Sequence, residues 1–332
     1  MAVQLTIIGL GQIGASIGMA LKDRKDSIRR VGYDKNSAVA KASESLDVVD
    51  EIRNLKEAVK DAGIVLLALP LSEIHETLKH IGPELQENTV VLDTAPVKSS
   101  VKEWAKEFIP AGRFYLGLVP ALKSESFAST ESGLNAASPD LFKRTVMIVD
   151  APPGIPQDVE QLAMNLVRLI GAKPMLTDLA ESDGLMASVH LLPQLTAAAL
   201  LVATVDQAGW AEARKLAGKP YAGVTGGLAY YDDVASLKSA ALANRSNIVH
   251  ALDMMIASLT GLREDIHNGD DKSVDERLQQ AYDSRERWLD ERSAADWLKE
   301  GGDPIELPNL GDQILQTLFG SRIIDRNKKK AN

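Results

Sequence analysis

The chain has 332 residues, 45% of them hydrophobic and 25% charged, and its 37 basic against 46 acidic side chains give a net charge of −9. That length accommodates two domains with sizeable cores, and an acidic balance without a basic stripe excludes nucleic acid as a partner. There are no cysteines, which rules out disulfides and thiolate chemistry and fits a reducing compartment.

An apolar run at residues 4–8 opens the chain, so no secretory signal is expected ahead of it and the expected location is cytoplasmic. It leads into Gly9-Leu10-Gly11-Gln12-Ile13-Gly14, a helical pattern over 12–22, and a second apolar run at 30–33 that ends on Asp34. Strand, glycine trio, helix, second strand and acid in this order form a dinucleotide-binding fingerprint. Gly9 makes the tight turn, Gly11 lets the backbone approach a pyrophosphate, and Gly14 lets the helix pack closely on the strand. Gln12 and Ile13 open that helix, whose amides and positive dipole end suit the phosphates. Asp34 stands 20 residues after Gly14, where a carboxylate accepts bonds from ribose hydroxyls and repels a 2′-phosphate. NAD is therefore the expected cofactor and NADP the poorer fit. Lys35 pulls the other way, because its flexible ammonium could turn toward a 2′-phosphate.

Apolar runs at 64–68, 89–92, 115–118 and 145–149 alternate with helical patterns and predict a doubly wound, mostly parallel sheet. After the break at 151–156, an amphipathic helix over 158–170 and a last strand at 173–176 complete an α/β Rossmann domain over residues 1–178. The remainder, 179–332, reads as all-helical, with long patterns over 180–207, 233–268 and 274–299 separated by glycine-rich stretches at 218–227 and 268–270. The most apolar part, 186–205, carries His190 and Gln194 and reads as a core helix, so no membrane association is expected. Its many alanines favour close helix contacts, and so thin a layer is expected to form a homodimer. Residues 303–319 suggest a short docking helix, and Lys328-Lys329-Lys330 a solvated tail.

The pattern as a whole resembles the prephenate and arogenate dehydrogenase family of tyrosine biosynthesis. The likeness is carried by residues 9–18, Gly32-Tyr33-Asp34-Lys35-Asn36, Leu66-Leu67-Ala68-Leu69-Pro70, Val91-Leu92-Asp93-Thr94-Ala95-Pro96-Val97-Lys98, Glu131-Ser132-Gly133 and the helix at 188–200. It implies a Rossmann domain, an all-helical dimerisation domain, and hydride transfer from a small-molecule substrate to NAD or NADP, with loss of carbon dioxide, in a cleft between the domains. It also implies that Leu69, Pro70 and Thr94 line the cofactor site. The family's serine falls here on Pro96 and its histidine before a proline on Val119; the Ser-His-Leu-Pro-His motif is replaced by His190-Leu191-Leu192-Pro193-Gln194. The expected carboxylate-binding arginine has no counterpart, since residues 223–231 contain no basic side chain.

Oxidising an alcohol requires a base at the hydroxyl and an anchor for the rest of the molecule. Asp183, Ala187, His190 and Gln194 are spaced by four, three and four residues and would share a helix face. On that face His190 could accept the proton and Gln194 orient a substrate oxygen or amide. Lys98 is the retained cation nearest the expected nicotinamide and could bind a carboxylate or polarise a carbonyl, or else make a structural contact with Asp93. No acidic or histidine cluster has metal-ligand spacing. The expected function is an NAD-dependent oxidoreductase of this family type. The alternatives are a dehydrogenase or reductase of the same fold acting on a less acidic substrate, and a non-catalytic NAD-binding regulatory protein.

Overall fold

The structure is a computed structural model that describes residues 2–129, 131–230, 234–295 and 297. They form two units, one holding the chain up to Ser182 together with Ala295 and Trp297, the other Asp183–Ala294.

The first unit is built on an eight-stranded sheet: β1 (Val3–Ile8), β2 (Ile28–Tyr33), β3 (Glu51–Ile52), β4 (Ile64–Leu67), β5 (Val90–Asp93), β6 (Phe114–Pro120), β7 (Val146–Asp150) and β8 (Lys173–Thr177), in the order β3-β2-β1-β4-β5-β6-β7-β8. The helices between them are α1 (Gln12–Ala20), α2 (Ser37–Ser45), α3 (Leu55–Val59), α4 (Leu71–Ile81), α5 (Lys98–Phe108) and α6 (Gln157–Leu169). β1 and β4 are buried at every residue, as expected for strands covered by helices on both faces. Leu5, Ile7, Leu66, Leu92, Leu116 and Leu118 join Leu162 and Leu166 of α6 in one core, and each such side chain stabilises the fold by roughly 1.5–3 kcal/mol when fully buried.

The mostly parallel sheet is found, with one refinement at its edge. β6 pairs with β7 antiparallel, so β7 and β8 run against the other strands. The connection between β6 and β7 contains short 3₁₀ turns at Ser124–Ala128 and Gly133–Ala136 in place of a crossover helix. A chain that does not cross the sheet re-enters it from the end it left. At the other edge, Arg30 of β2 is wholly buried and bonds Asp47 Oδ1 at 2.8 Å, Asp50 Oδ1 at 2.7 Å and the Gly18 carbonyl at 2.9 Å. A buried guanidinium satisfied this way fixes the entry to β2.

The pattern over 180–207 becomes α7 (Leu179–Met186), a π-turn at Ala187–Leu191 and α8 (Leu192–Val205). Pro193 has no amide hydrogen, and just before it the Leu192 N–H bonds back five residues to the Ala187 carbonyl, which defines the widened turn. Among the described residues this is the one stretch that by length and composition could cross a bilayer. It also buries Asp183 and Gln194, which suits a protein interior better than lipid.

α9 (Trp210–Leu216) precedes the glycine-rich stretch, which holds α10 (Lys219–Thr225) and the start of a 3₁₀ turn at Gly226–Tyr230. The single helix expected over 233–268 is two, α11 (Val234–Ala243) and α12 (Arg245–His267). Asn244 breaks them apart, its amide donating to the Asp183 carbonyl at 2.6 Å instead of facing solvent. The last described helix is α13 (Asp271–Ala294), which has no buried residue, as its charge predicts. The segments at 303–319 and 328–330 lie outside the described residues.

Candidate functional site

The carboxyl ends of β1 and β4 lie side by side at the point where the strand order reverses, and this is where open α/β sheets bind ligands. Gly9 ends β1 at φ +93°, and a Cβ there would lie 2.2 Å from the Ala68 carbonyl oxygen. Only glycine fits that turn. Gly14 meets the same limit from the helix side, since its Cβ would stand 2.0 Å from the Gly9 carbonyl oxygen. Gly11 is different: a Cβ on it would meet nothing within 4 Å. Packing does not require a glycine at that position, whereas a ligand approaching the backbone closely would. Gly11 also stands at the N-cap of α1, where no side chain caps the helix and no acid occupies the first turn. The amides of Gln12 and Ile13 therefore present an anion site.

Asp34 closes this turn from the neighbouring strand. Its Oδ2 accepts the Leu10 amide at 2.8 Å and its Oδ1 the Asn36 amide at 2.8 Å. The carboxylate is half-buried and held in place, with lone pairs remaining for hydroxyl donors. Ala68, Leu69 and Pro70 leave β4 beside Gly9, and the Leu69 side chain comes within 3.0 Å of where a Gly9 Cβ would sit. Thr94 follows β5, its amide 3.0 Å and its hydroxyl 3.4 Å from the Leu67 carbonyl. The structure thus brings Gly9, Gly11, Gln12, Ile13, Gly14, Asp34, Leu69, Pro70 and Thr94 to the carboxyl ends of adjacent strands. The segment after Glu131-Ser132-Gly133 joins them: the Gln12 side-chain Nε2 donates to the Ala136 carbonyl at 3.4 Å and the Ser138 N–H to Ser16 Oγ at 2.9 Å.

Lys98 requires a correction. It is wholly buried, and its ammonium bonds Asp93 Oδ1 at 2.9 Å and the Asp93 carbonyl at 3.1 Å. Asp93 is itself buried and also accepts the Tyr115 hydroxyl at 2.7 Å and the Ala95 amide at 2.8 Å. The cation neutralises a carboxylate inside the sheet and has no surface to offer a substrate. Gly117 makes room for it, since a Cβ there would lie 2.7 Å from Lys98 Cδ. Val119 is buried in β6 opposite Ile148, and Pro96 sits half-buried after β5. Neither can donate or accept a proton.

His190 and Gln194 belong to the second unit. The π-turn changes the expected helix face: the buried stripe runs through Asp183, Ala187, Leu191, Gln194 and Ala197, and His190 lies at its edge. His190 is half-buried, and burial lowers its pKa to about 4, so the imidazole is neutral near pH 7. Gln194 donates its amide to the His190 carbonyl at 2.7 Å. A carbonyl only accepts, so the amide orientation is fixed and Gln194 Oε1 is left buried without a donor.

Residues 17–176 match the family of the prephenate dehydrogenase nucleotide-binding domain. Over that stretch, just under half of the chain, the sequence is similar to this nucleotide-binding domain. The chain is 29% identical over 204 residues to the prephenate dehydrogenase of Bacillus subtilis, covering 59% of this chain and 52% of that protein. It is 26% identical over 207 residues to the enzyme of Lactococcus lactis, covering 62% and 55%. The match thus spans about half the length of these relatives. The prephenate dehydrogenase of A. aeolicus, solved with hydroxyphenyl propionate and NAD+, superposes with a TM-score of 0.75 over 86% of this chain and 98% of that one at 19% identity. At that identity the likeness establishes a shared fold, including the helical second unit.

Proposed function

We propose that this chain is an NAD-dependent oxidoreductase that removes a hydride from a small hydroxy compound. The observation that carries the reading is the glycine turn: sterically open at Gly11, closed at Gly9 and Gly14, and backed by a fixed carboxylate at Asp34. The amides of Gln12 and Ile13 hold the pyrophosphate, Asp34 takes the ribose hydroxyls, and Leu69, Pro70 and Thr94 wall the site. NAD, when bound, supplies the hydride acceptor. His190, as a neutral imidazole, accepts the hydroxyl proton, and Gln194 offers its buried Oε1 to a substrate donor.

Prephenate itself is the weaker candidate substrate. A dicarboxylate needs charge-assisted partners, yet Lys98 is buried, Pro96 and Val119 are inert, and residues 223–231 hold no basic side chain. These departures favour a less acidic hydroxy compound as the substrate. The second unit exposes Val202 at 70%, Val234 at 85% and Met254 at 62%, and a homodimer through this unit would cover them. The site proposed is cytoplasmic and takes no metal.

Calorimetric titration should show NAD binding more tightly than NADP, and light scattering a dimer. With NAD and prephenate or arogenate, turnover should fall on the order of a hundredfold to ten-thousandfold below that of a family enzyme retaining its acid–base residues. Ordinary turnover that survives His190→Asn would remove His190 from the mechanism.

A further inference from the structure

β2 and β4 flank β1, so the residues that follow them stand on either side of the carboxyl end of β1, above the glycine turn. One ion pair crosses that gap. Lys35, next to Asp34 after β2, places its ammonium on the carboxylate of Glu73 in the first turn of α4. The backbone beneath is fixed at both ends: Asn36 donates to Asp34 on one side, and the Glu73 amide bonds the Pro70 carbonyl at 2.9 Å on the other. Lys35 is the cation adjacent to the ribose-binding carboxylate, and its exposed side chain is drawn toward α4.

We propose that Glu73 is a specificity-determining residue for the cofactor: by holding Lys35 across the mouth of the glycine turn, it denies a 2′-phosphate its counter-charge. The inference rests on the NAD reading above and extends it to a residue outside the fingerprint. A phosphate placed beside Asp34 meets a like charge, and the obvious remedy is an ammonium brought up from the next residue. Glu73 competes for that ammonium. Both partners reach solvent, so the pair is weak enough to be broken by one substitution without unfolding the chain.

The experiment is calorimetric titration of the full-length wild type, Glu73→Gln, Lys35→Ala and the double variant with NAD and with NADP, with circular dichroism to confirm folding. Glu73→Gln should bind NADP about fivefold to tenfold more tightly than wild type while NAD affinity stays within about twofold. The double variant should lose that gain, because Lys35 supplies it, and high salt should shrink it. An unchanged ratio of the two affinities in a folded Glu73→Gln variant overturns the inference and leaves the NAD reading intact. A gain that persists in the double variant also overturns it, since the carboxylate would then act without Lys35. Wild-type protein that binds neither dinucleotide overturns the cofactor reading itself, and this inference with it.

Discussion

Alanine at Gly14 and alanine at Gly11 make the same chemical change three residues apart, and the structure separates their consequences. A Cβ on Gly14 would lie 2.0 Å from the Gly9 carbonyl oxygen and 3.1 Å from both Ala68 Cβ and Ile7 Cγ2. Non-bonded heavy atoms settle at roughly 3.5–4 Å, so α1 would have to withdraw from the turn by more than an ångström. The turn cannot yield instead, because Gly9 already stands at φ +93° against the Ala68 backbone. Overpacking of this kind costs about 1–3 kcal/mol, and backbone on the receiving side puts Gly14→Ala at the upper end. Alanine's better helix propensity returns about 1 kcal/mol, leaving a net loss near ~2 kcal/mol. Gly11→Ala meets no atom and its φ of −74° suits any L-residue, so stability should change by less than about 1 kcal/mol. NAD affinity should still fall about tenfold or more, because the methyl occupies the line of approach to the amides. Chemical denaturation paired with NAD titration reads both effects. Wild-type NAD affinity in Gly11→Ala would refute the assignment of the turn as a pyrophosphate site, and wild-type stability in Gly14→Ala would refute the steric argument.

Lys98→Met should cost about 3–5 kcal/mol, since it strands the buried Asp93 carboxylate; a loss under about 1 kcal/mol in urea unfolding would refute a stabilising role for the buried pair. Asp34→Ala should weaken NAD binding about tenfold while lowering the melting temperature only modestly, as it removes the acceptors of the Leu10 and Asn36 amides at a half-buried site that water can reach. The folded pKa of His190, about 4, lies below its ordinary value of 6.5, so its contribution to stability is complete above pH 6.5 and is lost as pH falls toward 4. The loss is at most roughly 3 kcal/mol, and the urea midpoint of His190→Asn should show a flatter decline over that range. Asp50 acts lower on the scale: burial raises its pKa, but its bonds to Arg30 outweigh that and hold it below 3.8.

The cofactor half was legible because its requirements are local. A tight turn, a close helix and an acid at the end of the next strand each dictate a residue type within about thirty positions, and Gly9, Gly14 and Asp34 meet in space as their spacing implies. What was illegible was decided by partners distant in sequence. For Lys98 the sequence left two readings open, an available cation or a structural contact with Asp93, and the choice between them needed Tyr115, 17 residues on, whose bond shows that Asp93 lies inside the sheet. An acid at a strand end followed five residues later by lysine was the available hint. Asn244 gave no sign that it would break a helix, because its partner is the Asp183 carbonyl, 61 residues away.

The helix at 179–205 shows the same limit acting on chemistry. A uniform period of 3.6 residues would place His190 in line with Asp183, Ala187 and Gln194. Pro193 removes one amide, the turn before it widens, and the buried stripe shifts to Leu191. That shift moves His190 from the interior to the edge, where its imidazole keeps partial access to solvent, and it buries Gln194 with its amide tied to the His190 carbonyl. A widened turn also carries a cost in helix hydrogen bonding, and such turns concentrate at functional positions. The positions of His190 and Gln194 are thus set by one proline that a regular helix would have no reason to contain. Pro193→Ala provides the direct test: restoring the amide favours a regular turn and should rotate His190 relative to Gln194, changing turnover in the proposed alcohol oxidation while NAD affinity, expected to depend on the first unit, stays as in wild type.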